Sequence, residues 1–134
     1  MKECPPACRV GIAIVEDEKT LVKLYERAFA KHNITICFVA YDGLEAVKKY
    51  IECTPKPHVV IMDYRLPVMN GIEATKELLR FDPDISIIFL SADIGVKEDA
   101  IKAGARVFLK KPASLNVIIN SVKQAMGEAP KPQA

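Results

Sequence analysis

Residues Val59–Gly71 read Val-Val-Ile-Met-Asp-Tyr-Arg-Leu-Pro-Val-Met-Asn-Gly, and this stretch predicts a buried strand followed by a loop and a helix. The apolar run Val59–Met62 has no polar alternation, which is typical of a parallel strand covered on both faces. Asp63 follows at the carboxyl end of this strand. Gly71 follows Asn70 where a tight entry into the next helix is needed. The stretch therefore predicts one strand–helix unit with a carboxylate at the end of its strand.

The same alternation of apolar runs and helical periodicity continues along the chain. Strands are predicted at 10–15, 34–40, 59–62, 85–90 and 107–109, and helices at 19–31, 43–53, 72–81, 96–103 and 115–126. Five such units predict an α/β fold with a doubly wound, five-stranded parallel sheet. Five strands are too few for an eight-stranded barrel.

Helical spacing also predicts which side chains of these helices face the core. The second helix carries Leu44, Val47 and Ile51 at helical spacing, and the last helix should bury Val117 together with its neighbours Ile118, Val122 and Ala125. We therefore expect one apolar stripe on each helix.

Length and charge limit the classes of protein. The chain has 134 residues and a formal charge of +2, so it is expected to be one domain without direct nucleic-acid binding. Neither a signal peptide nor an apolar run long enough for membrane insertion is present, and we expect a cytoplasmic protein. We predict a folded domain at residues 9–127, a flexible N-terminus at 1–8 and a linker-like tail at 128–134.

The four cysteines do not have the spacing of a zinc site. They are Cys4, Cys8, Cys37 and Cys53, and no two form a Cys-x-x-Cys pair. Cys37 lies in an apolar run and is expected to be buried. A local disulfide between Cys4 and Cys8 is left open.

Polar side chains follow four of the predicted strands. Glu16 and Asp17 follow the first strand, Asp63 the third, Ser91 the fourth and Lys111 the fifth. Each alone has an ordinary interpretation as a helix-terminal charge, a turn cap or a solvated lysine. Ligands of open parallel sheets bind beyond the carboxyl ends of the strands, so their joint occurrence indicates a site if these strands are adjacent.

Three carboxylates at one edge require a neutralising cation, because like charges resist ionisation together. Oxygen ligands without histidine or cysteine favour Mg²⁺. A carboxylate beside Mg²⁺ and a lysine can attack phosphorus and become an acyl phosphate. The cations and a hydroxyl donor would stabilise the transferred group, so the pattern predicts phosphoryl transfer onto a carboxylate.

Four motifs make the sequence closely similar to the receiver domain of two-component response regulators over about residues 9–126. They are Ile-Val-Glu-Asp-Glu at 14–18, the stretch 60–71, Phe-Leu-Ser-Ala-Asp at 89–93 and Ala-Gly-Ala-Arg-Val-Phe-Leu-Lys-Lys-Pro at 103–112. The resemblance, which is to chemotaxis-regulator-like single domains, implies a flavodoxin-like (βα)₅ fold with strand order 2-1-3-4-5.

The resemblance also implies roles for individual residues. Asp63 matches the phosphoacceptor, Ser91 the switch hydroxyl, Lys111 the lysine that pairs with the phosphoryl group, and Phe108 the switch aromatic. Mg²⁺ would be held by Glu16, Asp17, Asp63 and the backbone carbonyl of Arg65, and the Lys111–Pro112 bond is expected to be cis. Arg65 and Asp93 flank the site, and we hypothesise that they pair across its mouth.

The implied function is a phosphorylation-activated signalling switch. A sensor histidine kinase, a phosphotransfer protein or acetyl phosphate would supply the phosphoryl group. The face formed by helix 4, strand 5 and helix 5 would then change and control a downstream protein or output domain. Such a chain catalyses only its own phosphorylation and dephosphorylation, so we do not expect an enzyme. Homodimerisation is left open.

Three alternatives remain from the residues. The first alternative is the receiver part of a longer DNA-binding regulator. The second is a phosphatase with an aspartyl-phosphate intermediate, and the third is a flavin-binding module of the same fold. Arg65 stands where such phosphatases usually have a second acid. The acidic loop at 16–18 would repel the phosphate of a flavin.

Overall fold

The computed structural model describes residues 9–127 and contains five βα units. The strands are β1 (Ile12–Val15), β2 (Ile36–Ala40), β3 (Val59–Asp63), β4 (Ser86–Ser91) and β5 (Val107–Lys110). The helices are α1 (Lys19–Lys31), α2 (Gly43–Glu52), α3 (Gly71–Phe81), α4 (Lys97–Ala103) and α5 (Leu115–Ala125), and a 3₁₀ turn at Ile94–Val96 precedes α4. The predicted terminal segments and the Cys4–Cys8 link lie outside the described residues.

The five strands form one parallel sheet in the order β2-β1-β3-β4-β5, which confirms the expected topology. Helices cover both faces. One core cluster joins the sheet to α1 and α5 through residues such as Phe29 and Ile118. The other joins it to α2, α3 and α4 through residues such as Tyr50 and Leu78. The central strand β3 is buried along its whole length, as its continuous apolar run predicts.

Local side chains fix the starts of three helices. Asp42 accepts a hydrogen bond from the N–H of Glu45 at the start of α2, and Asn70 caps α3 in the same way. Ser114 caps α5, as the sequence predicts. No helix within residues 9–127 is both long and apolar enough to cross a membrane.

The predicted core face of α5 is partly wrong, and the apolar residues at helical spacing in α2 are not its most buried ones. Leu44 and Ile51 are 39% and 47% exposed, whereas Ala46 and Tyr50 are fully buried. Apolar residues of α2 fall on two faces at helical spacing, and the face that is buried includes Tyr50, whose hydroxyl has half-buried polar partners. In α5 Val117 is 46% exposed. Val117, Ile118 and Ile119 are consecutive, and they cannot all face inward because successive residues of a helix are rotated by about 100° around its axis.

Cys37 is half-buried instead of buried. The register between β1 and β2 passes from Ile36 to Phe38 and leaves Cys37 without a partner residue. This irregularity turns the Cys37 thiol toward the Val10 carbonyl, at 2.6 Å. Partial burial raises the pKa of the Cys37 thiol to about 11.

A half-buried polar link joins the N-terminal side of the sheet to α2 and α3. Arg9 contacts both carboxylate oxygens of Asp82, with Nη1 at 2.8 Å and Nη2 at 3.1 Å. The Tyr50 hydroxyl also donates to Asp82. Burial alone would raise the pKa of Asp82, but the hydrogen bonds from Arg9 and Tyr50 outweigh it and hold this pKa below its ordinary value.

The Asp82→Ala variant should be less stable than the wild type by about 2 kcal/mol at pH 7, because the half-buried Arg9 guanidinium loses its hydrogen bonds to a charged partner. The pKa of Asp82 is lower in the folded state. The ionised Asp82 carboxylate therefore stabilises the folded state fully at pH values above its unfolded pKa of about 3.9. This stabilisation is lost as the pH falls through the lower pKa of the folded state. Urea unfolding at pH 7 should show the lower free energy of unfolding of Asp82→Ala. When the measurement is repeated at decreasing pH, the difference in free energy of unfolding between the variant and the wild type should become smaller.

The matched control is Asp84→Ala, which removes an exposed carboxylate two residues away. It should change the free energy of unfolding by less than about 0.5 kcal/mol. An equal loss of stability in both variants would contradict a specific role for the Arg9–Asp82 pair.

Candidate functional site

The carboxyl edge of the sheet carries three polar side chains that are almost fully buried. Glu16 follows β1, Asp63 ends β3 and Ser91 ends β4, and they are 3%, 5% and 3% exposed. These strands are neighbours, so the sheet order brings together residues that lie far apart in the sequence. Asp17 is exposed at the same edge. Buried polar groups need partners, and the partners at this edge define the site.

Three carboxylates converge there. Glu16, Asp17 and Asp63 each offer one oxygen, and these oxygens all lie within 4.8 Å of one another. A single cation with oxygen ligands at about 2.0–2.6 Å fits between atoms at this spacing. The donor set is oxygen only, which suits a hard divalent ion. The residues present therefore fit a metal of this class.

Lys111 supplies the one ammonium group that contacts the cluster within residues 9–127. Its Nζ lies 2.7 Å from Asp63 Oδ1 and 2.9 Å from Glu16 Oε1. The Lys111 N–H donates to the Ser91 carbonyl at 2.9 Å, which fixes this residue beside the end of β4. Lys110 is exposed, and the Lys111–Pro112 peptide bond is cis. Of the two adjacent lysines, Lys111 is therefore the one that contacts the carboxylates of the site.

The electrostatics of the site are those of buried carboxylates held by one cation. Burial raises the pKa of Asp63, and hydrogen bonding to Lys111 opposes the increase while Asp17 adds to it. Burial likewise raises the pKa of Glu16, with Lys111 lowering it and Asp63 raising it. Burial would lower the pKa of Lys111, but its two carboxylate partners outweigh burial and raise it. Lys111 therefore stays an ammonium group.

The Ser91 hydroxyl is held by the loop that follows β4. Its Oγ accepts from the Asp93 N–H at 3.0 Å and lies 3.3 Å from the Asp93 carbonyl. The Asp93 carboxylate accepts from the Gly95 N–H at 2.8 Å and so caps the 3₁₀ turn before α4. Ser91 and the start of α4 are thus joined through one residue.

Three aromatic rings connect the site to β5. Tyr64 directly follows Asp63, and its ring centroid lies 6.3 Å from that of Phe89. Phe89 is fully buried and stacks on Phe108, with centroids 6.1 Å apart and planes at 17°. Sequence reasoning identified Phe108 but missed Tyr64 and Phe89. The signal would have been aromatic residues at neighbouring strand positions, since Phe89 and Phe108 are register partners.

The loop between β3 and α3 closes one side of the site. The Gly71 N–H donates to the Tyr64 carbonyl at 2.9 Å, and a Cβ at residue 71 would lie 2.1 Å from the Asp63 carbonyl oxygen. Only glycine permits this close approach. An open cleft of about 420 Å³ lies beside the loop, lined by Asp17, Tyr64, Arg65, Leu66, Pro67 and Asn70.

The hypothesised pair of Arg65 with Asp93 is wrong for the structure. Within the described residues no ion pair joins them. The Asp93 carboxylate is instead occupied by the Gly95 N–H. Arg65 is exposed and lines the cleft together with Asp17.

Comparison with known proteins assigns this arrangement to a family. The sequence profile of the response regulator receiver domain matches residues 12–123. The chemotaxis protein CheY of Thermotoga maritima is 35% identical over 115 residues, which cover 84% of this chain and 94% of that protein. The chain therefore belongs to the response regulator receiver domain family, and it is a receiver domain of the two-component signalling class.

Solved structures agree with this membership. A chain of the CheX–CheY–BeF₃–Mg²⁺ complex from Borrelia burgdorferi superposes with a TM-score of 0.80 at 27% identity, covering 89% of this chain and 96% of that chain. A chain of the complex between the Saccharomyces cerevisiae phosphotransfer protein Ypd1 and the Ssk1 receiver domain superposes with a TM-score of 0.79 at 25% identity. The match covers 90% of this chain and 90% of that chain. The membership favours the receiver interpretation over the phosphatase and flavin alternatives.

Proposed function

We propose that Asp63 is the phosphoacceptor of this receiver domain. The observation that carries the proposal is the position of its carboxylate, which lies within 4.8 Å of two further carboxylates and 2.7 Å from the Lys111 ammonium. A carboxylate oxygen would attack the phosphorus of a phosphohistidine. The phosphorus–nitrogen bond breaks, and the imidazole leaves with its electron pair and takes up a proton.

Mg²⁺ is the proposed metal of the site. Glu16, Asp17, Asp63 and the backbone carbonyl of Arg65 would hold it, and the ion supplies positive charge that offsets the carboxylates and the incoming phosphoryl oxygens. The Borrelia burgdorferi relative was solved with Mg²⁺ and BeF₃, which supports this choice. Lys111 would turn from Asp63 Oδ1 to a phosphoryl oxygen once the acyl phosphate forms, since it already reaches both Asp63 and Glu16.

Ser91 is the residue proposed to couple phosphorylation of Asp63 to a change in the conformation of the domain. Its hydroxyl now bonds the backbone of Asp93, and a phosphoryl oxygen on Asp63 would compete for it. Movement of Ser91 toward Asp63 would release the Asp93 backbone beside the 3₁₀ turn before α4. The same movement at the end of β4 would let Phe108 repack against Phe89. The face formed by α4, β5 and α5 would change as a result.

The partners follow from this chemistry. A sensor histidine kinase or a phosphotransfer protein would donate the phosphoryl group, as the solved pairing of Ypd1 with the Ssk1 receiver suggests. A downstream protein or output domain would bind the altered face. The chain itself would catalyse only its own phosphorylation and dephosphorylation, so we propose a cytoplasmic switch and not an enzyme acting on other substrates.

Incubation of the protein with acetyl phosphate and Mg²⁺ should add one phosphoryl group, measured by intact mass. Asp63→Asn should abolish the addition, because the amide cannot form the acyl phosphate, and removal of Mg²⁺ by EDTA should do the same. Asp84→Asn, an exposed acid outside the carboxylate cluster, is the control and should label like the wild type. Equal labelling of Asp63→Asn would contradict the assignment.

Ser91→Ala should still accept the phosphoryl mimic beryllofluoride but should not pass the signal to β5. The measurement is methyl NMR of Val107 and Leu109, which flank Phe108, with and without beryllofluoride and Mg²⁺. The wild type should show shifts that the variant lacks. Ser86→Ala, at the opposite end of the same strand, is the matched control and should respond like the wild type. A full response in Ser91→Ala would rule out the proposed coupling.

A further inference from the structure

The outer edge of β2 has features of a strand-addition surface. Within residues 9–127, β2 pairs only with β1 and forms one end of the sheet. The free side of such a strand presents backbone groups that another strand can bind. The β2 sequence, Ile-Cys-Phe-Val-Ala, contains no charged residue or proline, two of the features that usually prevent this, and its irregularity at Cys37 lies away from Val39 and Tyr41 in the sequence. By contrast, β5 at the other end of the sheet ends in Lys110 and directly follows Arg106.

The register identifies which groups face outward. The Glu16 N–H donates to the Ala40 carbonyl at 3.0 Å, so the backbone groups of Ala40 face β1. Adjacent residues of an extended strand direct their N–H and carbonyl groups to opposite sides. The Val39 carbonyl and the Tyr41 N–H therefore face the free side of β2.

Two side chains of α2 form hydrogen bonds with these outward-facing backbone groups. Lys49 Nζ donates to the Val39 carbonyl at 2.6 Å. Glu45 Oε1 accepts from the Tyr41 N–H at 2.6 Å. The two side chains lie one turn apart on α2, 3.6 Å from each other. Together they supply one donor and one acceptor, which are the groups that a neighbouring strand would offer.

Helix capping explains only part of this arrangement. Glu45 is the third residue of α2, where an acidic side chain commonly turns back to a preceding N–H. Lys49 lies in the last turn of α2 and has no capping role toward the start of the helix. Its bond to Val39 needs another explanation, and coverage of the β2 edge supplies one.

We propose that the Glu45–Lys49 pair takes the place of a sixth strand and closes the β2 edge against pairing with β2 of a second copy of this chain. An uncharged strand can meet its own copy without like-charge repulsion. Antiparallel pairing about a two-fold axis gives both chains the same contacts, so one edge serves as both partners. The inference is independent of phosphorylation at Asp63.

The test compares the full chain carrying Glu45→Ala and Lys49→Met with the wild type by sedimentation over a range of protein concentrations. The double variant should self-associate at least about tenfold more tightly, since two hydrogen-bonding groups become available at the edge. The control is Glu73→Ala with Lys76→Met, which removes an exposed ion pair of α3 that lies 3.9 Å apart. It should behave like the wild type.

Amide hydrogen exchange shows whether the association uses β2. In the double variant the amides of Val39 and Tyr41 should exchange rapidly at low concentration and become protected as the concentration rises. Lys49→Arg retains the donor and should sediment like the wild type, and Lys49→Met alone is a milder variant if the double variant does not fold. A folded variant that does not associate, or one that associates without protection of these amides, would overturn the proposal.

Discussion

The contact of the Lys111 ammonium with Glu16 and Asp63 is the interaction on which the site depends. Burial works against the ionised form of both carboxylates, and Lys111 at 2.7–2.9 Å is the cation that opposes this effect. One ammonium cannot balance three carboxylates once Asp17 is included. The site is therefore anionic, and its charge favours a second cation, which the proposed transfer of an anionic phosphoryl group to Asp63 would require.

The parallel sheet makes this arrangement by placing the ends of β1, β3, β4 and β5 along one edge. The same edge also connects the site to the rest of the molecule. Ser91 reaches the start of α4 through Asp93, and the row of Tyr64, Phe89 and Phe108 crosses from β3 to β5. In the proposed switch, a change of charge at Asp63 would reach the face formed by α4, β5 and α5 through either of these two sets of contacts.

The sequence predicted the strands within a few residues, because buried parallel strands are continuous apolar runs. The site residues were recognisable as polar side chains at the ends of those runs, but the strand order came from the family resemblance and not from the pattern. Pairings between distant segments were not predictable. The Arg9–Asp82 pair and the occupied Asp93 carboxylate depend on tertiary geometry. The choice of Tyr50 over Leu44 as a core residue depends on it as well.

Isothermal titration of Mg²⁺ into the protein tests the central claim most directly, namely that Glu16, Asp17 and Asp63 form one cation site. The wild type should bind one Mg²⁺, and Asp17→Asn should weaken binding by at least about tenfold, because affinity for such an ion depends on the number of charged oxygen ligands. Glu18→Gln removes a neighbouring exposed carboxylate outside the cluster and should bind like the wild type. No binding by the wild type, or equal weakening by both substitutions, would contradict the account.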